Sequence, residues 1–454
     1  MSAPSKLFGT DGVRGEANHG VMTVENAVQI GRAVGLLHKG RQARVRILIG
    51  KDTRRSGYLF EAGMVAGICS VGADAYLVGP LPTPGIAFMT LGMRADAGVV
   101  ISASHNAFQD NGIKIFGADG FKLSDDLEAR IEDMVAHPEP LHAALAHGEE
   151  IGRSRRVEDA WGRYVVKLKH SFPADLTLDG LKIAVDCANG AAYKVAPSVF
   201  EELGAVVVPI CVSPNGVNIN DGCGALYPQG LAKAVLDNGC DVGIGLDGDA
   251  DRIVLVDERG QIVDGDHLLA ICATRMLAAG TLARATLVVT VMSNFGLEIA
   301  MRERNIRLIR TDVGDRQVVE AMRKGGYSLG GEQSGHLVFL DHATTGDGTL
   351  AALQVLAIAQ REGKRMSELA QVMQPVPQVL INLKVRDKPP LASLAAVSGT
   401  IVRAEKELEG VGRVLVRYSG TERKCRVMVE GRDPVLVEAH ARRIAESVTE
   451  AIGA

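Results

Sequence analysis

Residues 97–116, AGVVISASHNAFQDNGIKIF, decide how the chain is read. The run Gly98-Val99-Val100-Ile101 has the length and β-branched content of a short buried strand. It breaks into the small polar segment Ser102-Ala103-Ser104-His105-Asn106. Asn111-Gly112, a turn dipeptide, precedes a second apolar patch, Ile113-Lys114-Ile115-Phe116. Open α/β sheets place ligands beyond the carboxyl ends of parallel strands, so Ser104 is the candidate nucleophile, with His105 beside it. The alternative is a turn that Ser104 and Asn106 merely close, since both residue types are common turn formers. Adjacent side chains seldom face each other usefully, so the Ser-His pair alone does not choose between the two.

Outward from this stretch, strands and helices alternate. Helical spacing runs through Val24, Ala27, Val28, Ile30, Ala33, Val34 and Leu37, with Thr23 as cap and Gly40 as stop. Val45–Gly50 follows as a strand, then the polar segment 51–57 and a helix to about Ser70. This βαβ rhythm predicts a mostly parallel sheet. Residues 7–15, LFGTDGVRG, carry Asp11 and Arg14 and read as loop. The polar region 137–157 places a domain junction near 155, bridged by a helix over Val157–Leu168. Strand, polar turn, helix openings recur at Lys182–Asp186 and Thr286–Val291, which suggests a tandem repeat of α/β domains. Asp387-Lys-Pro-Pro390 marks an exposed break. Beyond it, Arg413–Arg417 and Cys425–Glu430 read as a strand pair, and Asp433-Pro434 caps a helix buried along Val437, Ala441, Ile444, Val448 and Ile452. This α+β unit differs in build and is a candidate mobile lid.

A length of 454 residues predicts three or four domains. The net charge of −4 provides no global field toward nucleic acid or an acidic membrane, so neither partner is expected. Positive charge for an anionic small molecule must then be local. Seven scattered cysteines, none in a CxxC pair, fit reduced thiols. No signal core or apolar run of about 18 residues is found, so the expected location is the cytoplasm.

A second loop sharpens the chemistry. Residues 242–256, VGIGLDGDADRIVLV, alternate Asp247, Asp249 and Asp251 between two apolar strands. Three carboxylates so close together stay ionised only beside a cation. All-oxygen ligands favour Mg²⁺ over Zn²⁺. An EF-hand fails because Arg252 stands where that loop requires Gly and the flanks are strands. A solvated acidic turn needs no such alternation. Three carboxylates and a phosphate dianion outweigh one divalent ion, so a cation is still needed, and Arg252 adjoins the last ligand.

Two further loops complete the set. In GGEQSGH (330–336), Glu332 and Ser334 can bind sugar hydroxyls beside His336; the alternative is a polar turn with an incidental histidine. In RYSGTER (417–423), Arg417, Ser419, Thr421 and the amides around Gly420 suit a phosphate, with Arg426 in the following strand; a hairpin turn held by Ser and Thr is the alternative.

Together FGTDGVRG (8–15), ISASHN (101–106), DGDADR (247–252), GGEQSGH (330–336) and RYSGTE (417–422) resemble the α-D-phosphohexomutase superfamily over essentially the whole chain. FGTDGVRG and the Gln of GEQSGH point to its glucosamine-phosphate branch. The alternative within the class is action on neutral glucose or mannose phosphates. The resemblance implies three tandem α/β domains with mixed, mostly parallel sheets, about 1–155, 156–257 and 258–372. A C-terminal α+β (TBP-like) lid, 373–454, would complete the chain. It implies an enzyme that interconverts glucosamine 6-phosphate and glucosamine 1-phosphate through a bisphosphorylated sugar, feeding UDP-N-acetylglucosamine and cell-wall synthesis. Ser104 would carry the activating phosphoryl group. One Mg²⁺ would sit among Ser104, Asp247, Asp249 and Asp251. Glu332 and Ser334 would read the sugar, while Arg417, Ser419, Gly420 and Thr421 hold its distal phosphate. Arg14, Lys114 and His336 match acid/base or charge-stabilising positions, and a homodimer is compatible. Two departures from the family pattern, Ala107 and Arg423 in place of prolines, leave both loops less stiff than expected.

Overall fold

The structure, a computed structural model, describes residues 7–9, 11–39, 44–419 and 423–454. Strands β1 (Val13–Glu16), β2 (Arg46–Lys51), β3 (Asp74–Pro80), β4 (Ala97–Ile101), β5 (Asp110–Gly117) and β6 (Ser154–Arg156) form a sheet in the order β1-β5-β4-β2-β3-β6. Strands β7 (Lys182–Asp186), β8 (Val206–Ile210), β9 (Val242–Leu246), β10 (Ile253–Asp257) and β11 (Ile262–Val263) form a second, ordered β11-β10-β9-β7-β8. The third, β13-β12-β14-β15, contains β12 (Thr286–Thr290), β13 (Arg307–Thr311), β14 (Leu329–Gly331) and β15 (Leu337–Phe339).

All three sheets share one plan. Parallel strands β4-β2-β3, β9-β7-β8 and β14-β12-β13 are joined by helical crossovers, because parallel neighbours cannot be linked by a tight turn. The last parallel strand of each set instead turns straight back into an antiparallel partner, β5, β10 or β15. The three similar openings at β2, β7 and β12 are therefore the central strands of a threefold repeat. Strands β4, β9 and β12 are buried along their whole length, which their continuous apolar runs require of strands covered on both faces.

The last sheet is antiparallel, β16-β18-β17, built from β16 (Gln378–Lys384), β17 (Gly412–Tyr418) and β18 (Lys424–Gly431). The helix Pro434–Ile452 packs on it through Val437, Ala441, Ile444, Val448 and Ile452, and the Asp433 carboxylate accepts the Val435 N–H at 2.9 Å. The Thr23 cap is likewise seen on the helix Val24–Leu37, while Gly40 lies outside the described residues.

Three local expectations are corrected. Asn111-Gly112 makes no turn; both lie inside β5, facing Gly15 and Arg14 across the β1 ladder. Gly is needed there for close approach, since a Cβ on Gly112 would meet the Ser102 carbonyl at 2.6 Å. Residues 13–16, read as loop, are strand β1, because β5 offers them a free edge. The bridging helix runs Ala160–His170 rather than Val157–Leu168, because Val157 still continues the β6 ladder, its N–H donating to the Leu77 carbonyl of β3.

The last domain is tied to the third through Asn294, whose side chain exchanges hydrogen bonds with the Val376 backbone at 2.9 and 3.1 Å and donates to Glu430 of β18 at 3.3 Å. The Asn294 N–H donates to buried Asp266 at 2.7 Å. Burial, then repulsion from Asp264, pushes Asp266 up to about 7. A carboxylate raised in the folded state binds protons that the unfolded chain has released, so its contribution is lost as pH rises from about 4 to about 7. Asp266→Asn is expected to flatten the fall in stability across that window, a difference of up to about 4 kcal/mol at the upper end. Thermal melts of both proteins against pH check this; parallel curves would contradict it.

Candidate active site

The hairpin turns that end the three parallel sets converge. They are 102–109 after β4, 247–252 after β9 and 332–336 after β14. Ser104 Oγ donates to Asp247 Oδ2 at 2.6 Å, and its oxygen lies 3.3 Å from His105 Nδ1. The adjacent pair does face each other, because Ser104 adopts a left-handed backbone with φ 50°. Asp247, Asp249 and Asp251 each offer a carboxylate oxygen within 4.8 Å of the others, all buried. Gly248 makes this approach possible: a Cβ there would strike the Ser104 carbonyl at 2.6 Å.

Electrostatics divides the three acids. Burial, then repulsion from Asp251 and Asp249, pushes Asp247 well above the carboxylate range. Burial also opposes ionisation of Asp251, but Lys114, His336 and Arg252 together hold it well below. Lys114 Nζ lies 3.1 Å from Asp249, 3.2 Å from Asp11 and 3.4 Å from Asp251. Burial favours neutral Lys114, yet these carboxylates outweigh it and keep it an ammonium. Asp249 Oδ1 and Asp251 Oδ1 are buried with no hydrogen-bond partner. Orphaned oxygens in an all-oxygen cluster are what a hard divalent cation satisfies, so this donor set fits Mg²⁺. Arg252 donates its backbone N–H to Asp247 at 3.2 Å, and its side chain reaches 4.0 Å from Asp251.

The stiffness that Ala107 forgoes is supplied by a side chain the sequence reading did not single out. Arg54, fully buried, donates to the carbonyls of Ser104 (3.0 Å), Asn106 (2.8 Å), Ala107 and Asp110 (3.2 Å). Its Nε pairs with Asp52 at 2.8 Å. Asp52 also accepts from Ser102 Oγ at 2.6 Å, and Ser102 Oγ in turn accepts the Ser104 N–H at 2.9 Å. Asn220 adds amide donors to the Ser104 and Asn106 carbonyls at 2.8 and 3.0 Å. Thr83 donates to Asp249 Oδ2 at 2.7 Å. The polar segment 51–57 at the carboxyl end of β2 was the available signal for Asp52 and Arg54. Thr83 and Asn220 carried none.

A charge lattice joins the first and third domains behind the acids. Asp11 pairs with Arg14 at 2.7 Å, with Lys114 and with Lys122, and Lys122 also binds Asp315. Arg14 reaches Asn106 Oδ1 at 3.4 Å. Asp315 lies 3.7 Å from His336 Nε2, and His336 Nδ1 lies 3.7 Å from Asp251. The carboxylates raise the His336 pKa against burial. The Gly346 N–H nonetheless donates to Nε2 at 3.1 Å, which favours the neutral ring with its proton on Nδ1, facing Asp251.

Glu332 accepts the Gly314 N–H at 3.3 Å, and Ser334, exposed, lies 3.4 Å from its other oxygen. Arg417 and Arg426 stand directly opposite each other on β17 and β18. Like charges in that position destabilise a sheet unless an anion lies between them. Arg417 also touches Met292 Sδ at 3.8 Å. Ser419 is buried, and its carbonyl accepts from Lys388 Nζ at 2.6 Å. Gly420 and Thr421 lie outside the described residues. Arg423 is exposed, and its carbonyl accepts the Val385 N–H at 3.1 Å. Among the described residues no helix is long and apolar enough to cross a membrane.

Family models described as phosphoglucomutase/phosphomannomutase match the chain in four successive pieces. Alpha/beta/alpha domains I, II and III match residues 5–141, 162–260 and 264–376, and the C-terminal domain matches 380–447. The chain is 58% identical over 448 residues to the phosphoglucosamine mutase of Geotalea daltonii, covering 99% of this chain and 98% of that protein. It is 58% identical over 449 residues to that of Syntrophotalea carbinolica, again covering 99% and 98%. A phosphoglucomutase/phosphomannomutase family protein from Burkholderia thailandensis superposes with a TM-score of 0.81 at 22% identity, covering 99% and 98% of the two chains. The N-acetylphosphoglucosamine mutase of Aspergillus fumigatus, solved with GlcNAc-6P and magnesium, superposes at 0.66 with 18% identity, covering 99% and 96%.

Proposed function

This chain belongs to the phosphoglucosamine mutases of the phosphoglucomutase/phosphomannomutase family, and we propose from that premise that it interconverts glucosamine 6-phosphate and glucosamine 1-phosphate through a phosphoserine at Ser104. It is a phosphohexomutase, an isomerase. The observation that carries the reading is the Ser104 hydroxyl seated 2.6 Å from Asp247, beside two further buried carboxylates.

Phosphoryl transfer asks chiefly for alignment and charge neutralisation. Asp247, Asp249, Asp251 and a phosphoryl oxygen on Ser104 would hold Mg²⁺, which neutralises charge on the group being transferred. The O–P bond to Ser104 breaks as one forms to the free sugar hydroxyl; that hydroxyl gives its proton to a nearby base, and the departing Ser104 oxygen takes one up, restoring the Oγ–H that donates to Asp247. Lys114, kept charged by Asp11, Asp249 and Asp251, stabilises charge and cannot be that base. His105, beside Ser104, is held at about 4 by burial, then by Arg252 and Arg14, so its ring is neutral and a weak base there. The bisphosphate then turns over, and its other phosphoryl group returns to Ser104. Glu332 and Ser334 bind sugar hydroxyls in both orientations. Arg417, Ser419, Gly420, Thr421 and Arg426 hold whichever phosphate is not reacting. The lid keeps water from the phosphoserine while the intermediate turns.

Comparing kcat/KM for glucosamine, glucose and mannose phosphates tests the assignment, with glucosamine 6-phosphate expected to lead. A preference for either neutral sugar would overturn the substrate, and release of inorganic phosphate without the isomer would make the protein a phosphatase. Asp249→Asn is expected to weaken Mg²⁺ by more than the ~10–100-fold typical of outer-shell changes, and Thr83→Val by about tenfold. Isothermal titration of Mg²⁺ measures both; unchanged affinity in Asp249→Asn would remove the cation from this loop.

A further inference from the structure

A second donor cluster lies outside the phosphoryl-transfer site. Asp186 ends β7, Cys211 follows β8, and Cys223 precedes the turn at Gly224. One carboxylate oxygen and both sulfurs lie within 4.8 Å of one another. Asp186 and Cys223 are buried, and Cys211 is half-buried. None of the three has a part in the reaction above.

Three features point to a cation here. First, the Asp186 carboxylate accepts one backbone N–H on each oxygen, from Ala188 and Gly224, both at 2.9 Å. Those bonds fix its orientation and leave each oxygen a further lone pair. Second, Cys211 is held at φ 51°. A side chain in this left-handed region costs about 1 kcal/mol, and Gly would be the strain-free choice, so the thiol is kept at a cost. Third, Cys211 hydrogen-bonds both Asp186 and Cys223, so the three donor atoms already converge on one point, and a divalent ion would take the place of the thiol protons that now join them.

We propose that Asp186, Cys211 and Cys223 form a second cation site, separate from the Asp247–Asp251 loop, for a thiophilic divalent ion of the Zn²⁺ class. Two sulfurs and one carboxylate suit Zn²⁺ and not Mg²⁺. Tetrahedral zinc places such donors about 3.5–3.8 Å apart, inside the 4.8 Å that bounds them here. Binding releases the two thiol protons to solvent, and a water on the half-buried Cys211 side completes the four ligands. The bound ion staples segment 211–223 to β7. That segment carries Asn220, whose amide holds the Ser104 and Asn106 carbonyls at 2.8 and 3.0 Å. The ion thus stiffens the backing of the Ser104 loop.

Co²⁺, as the spectroscopic probe for Zn²⁺, is added to the metal-stripped full-length chain under reducing conditions. One equivalent is expected to produce a thiolate-to-cobalt charge-transfer band that Zn²⁺ displaces. Cys223→Ser and Cys211→Gly should each abolish it. Cys211→Gly removes the left-handed strain, so its Tm should be no lower than that of the unaltered chain without added metal. Asp249→Asn, which disables the Mg²⁺ loop, should keep the band. No band in the unaltered chain, a band that survives both thiol substitutions, or a Cys211–Cys223 disulfide in the purified protein would overturn the proposal.

Discussion

Ser104→Ala is expected to lower turnover by on the order of 10⁴-fold or more and to leave the protein without covalent phosphate by intact mass. The reason is the lack of a substitute. The other hydroxyls built into this part of the site are already committed: Thr83 donates to Asp249 and Ser102 to Asp52. Neither can take over a phosphoryl group without breaking the bond that shapes the site. The substitution also leaves Ala at φ 50°, a strain of about 1 kcal/mol. Ser104→Gly relieves that strain and serves as the control, since it should be equally inactive while folding normally. Mg²⁺ affinity should persist in both variants, because Asp247, Asp249 and Asp251 remain. Full activity in either variant would sink the phosphoserine reading.

The second large effect is expected at Arg54. Arg54→Met leaves Asp52 buried without its counter-charge and strips donors from four carbonyls of the 104–110 segment. Removing one partner of a buried pair costs about 3–5 kcal/mol. Burial already drives Asp52 upward against the pull of Arg54, so loss of that charge should drive its pKa further up. Differential scanning calorimetry should show the fall in Tm. Arg54→Lys separates stability from shape: it retains the charge but not the fork, so kcat should fall while much of the stability returns. Unchanged kcat in Arg54→Lys would mean that the loop keeps its form without the clamp.

The two predictions differ in how visible their residues were. Ser104 announces itself, because an apolar run breaking into small polar residues has a local meaning. So does the alternation of Asp247, Asp249 and Asp251, where like charges crowd within five residues. Arg54 sits in a polar stretch that reads equally well as a solvated turn, yet it is wholly buried. Its ligands are carbonyls about 50 residues away, and backbone carbonyls leave no trace in residue identity. Asn111-Gly112 shows the opposite failure. The dipeptide favours a turn, but pairing with β1 and the crowding by Ser102 demand a small residue in a strand.

The sequence by itself determined most of the local elements and singled out the acidic and serine loops, because those depend on periodicity, charge crowding and turn chemistry over a few residues. Tertiary structure alone decided that Arg54, Thr83 and Asn220 serve Ser104 and the acids, and that Asp11, Lys122 and Asp315 bind the first domain to the third. These contacts join residues far apart in the chain. Their energy exists only once burial removes water and leaves each charge or carbonyl to the partner that the fold has placed beside it.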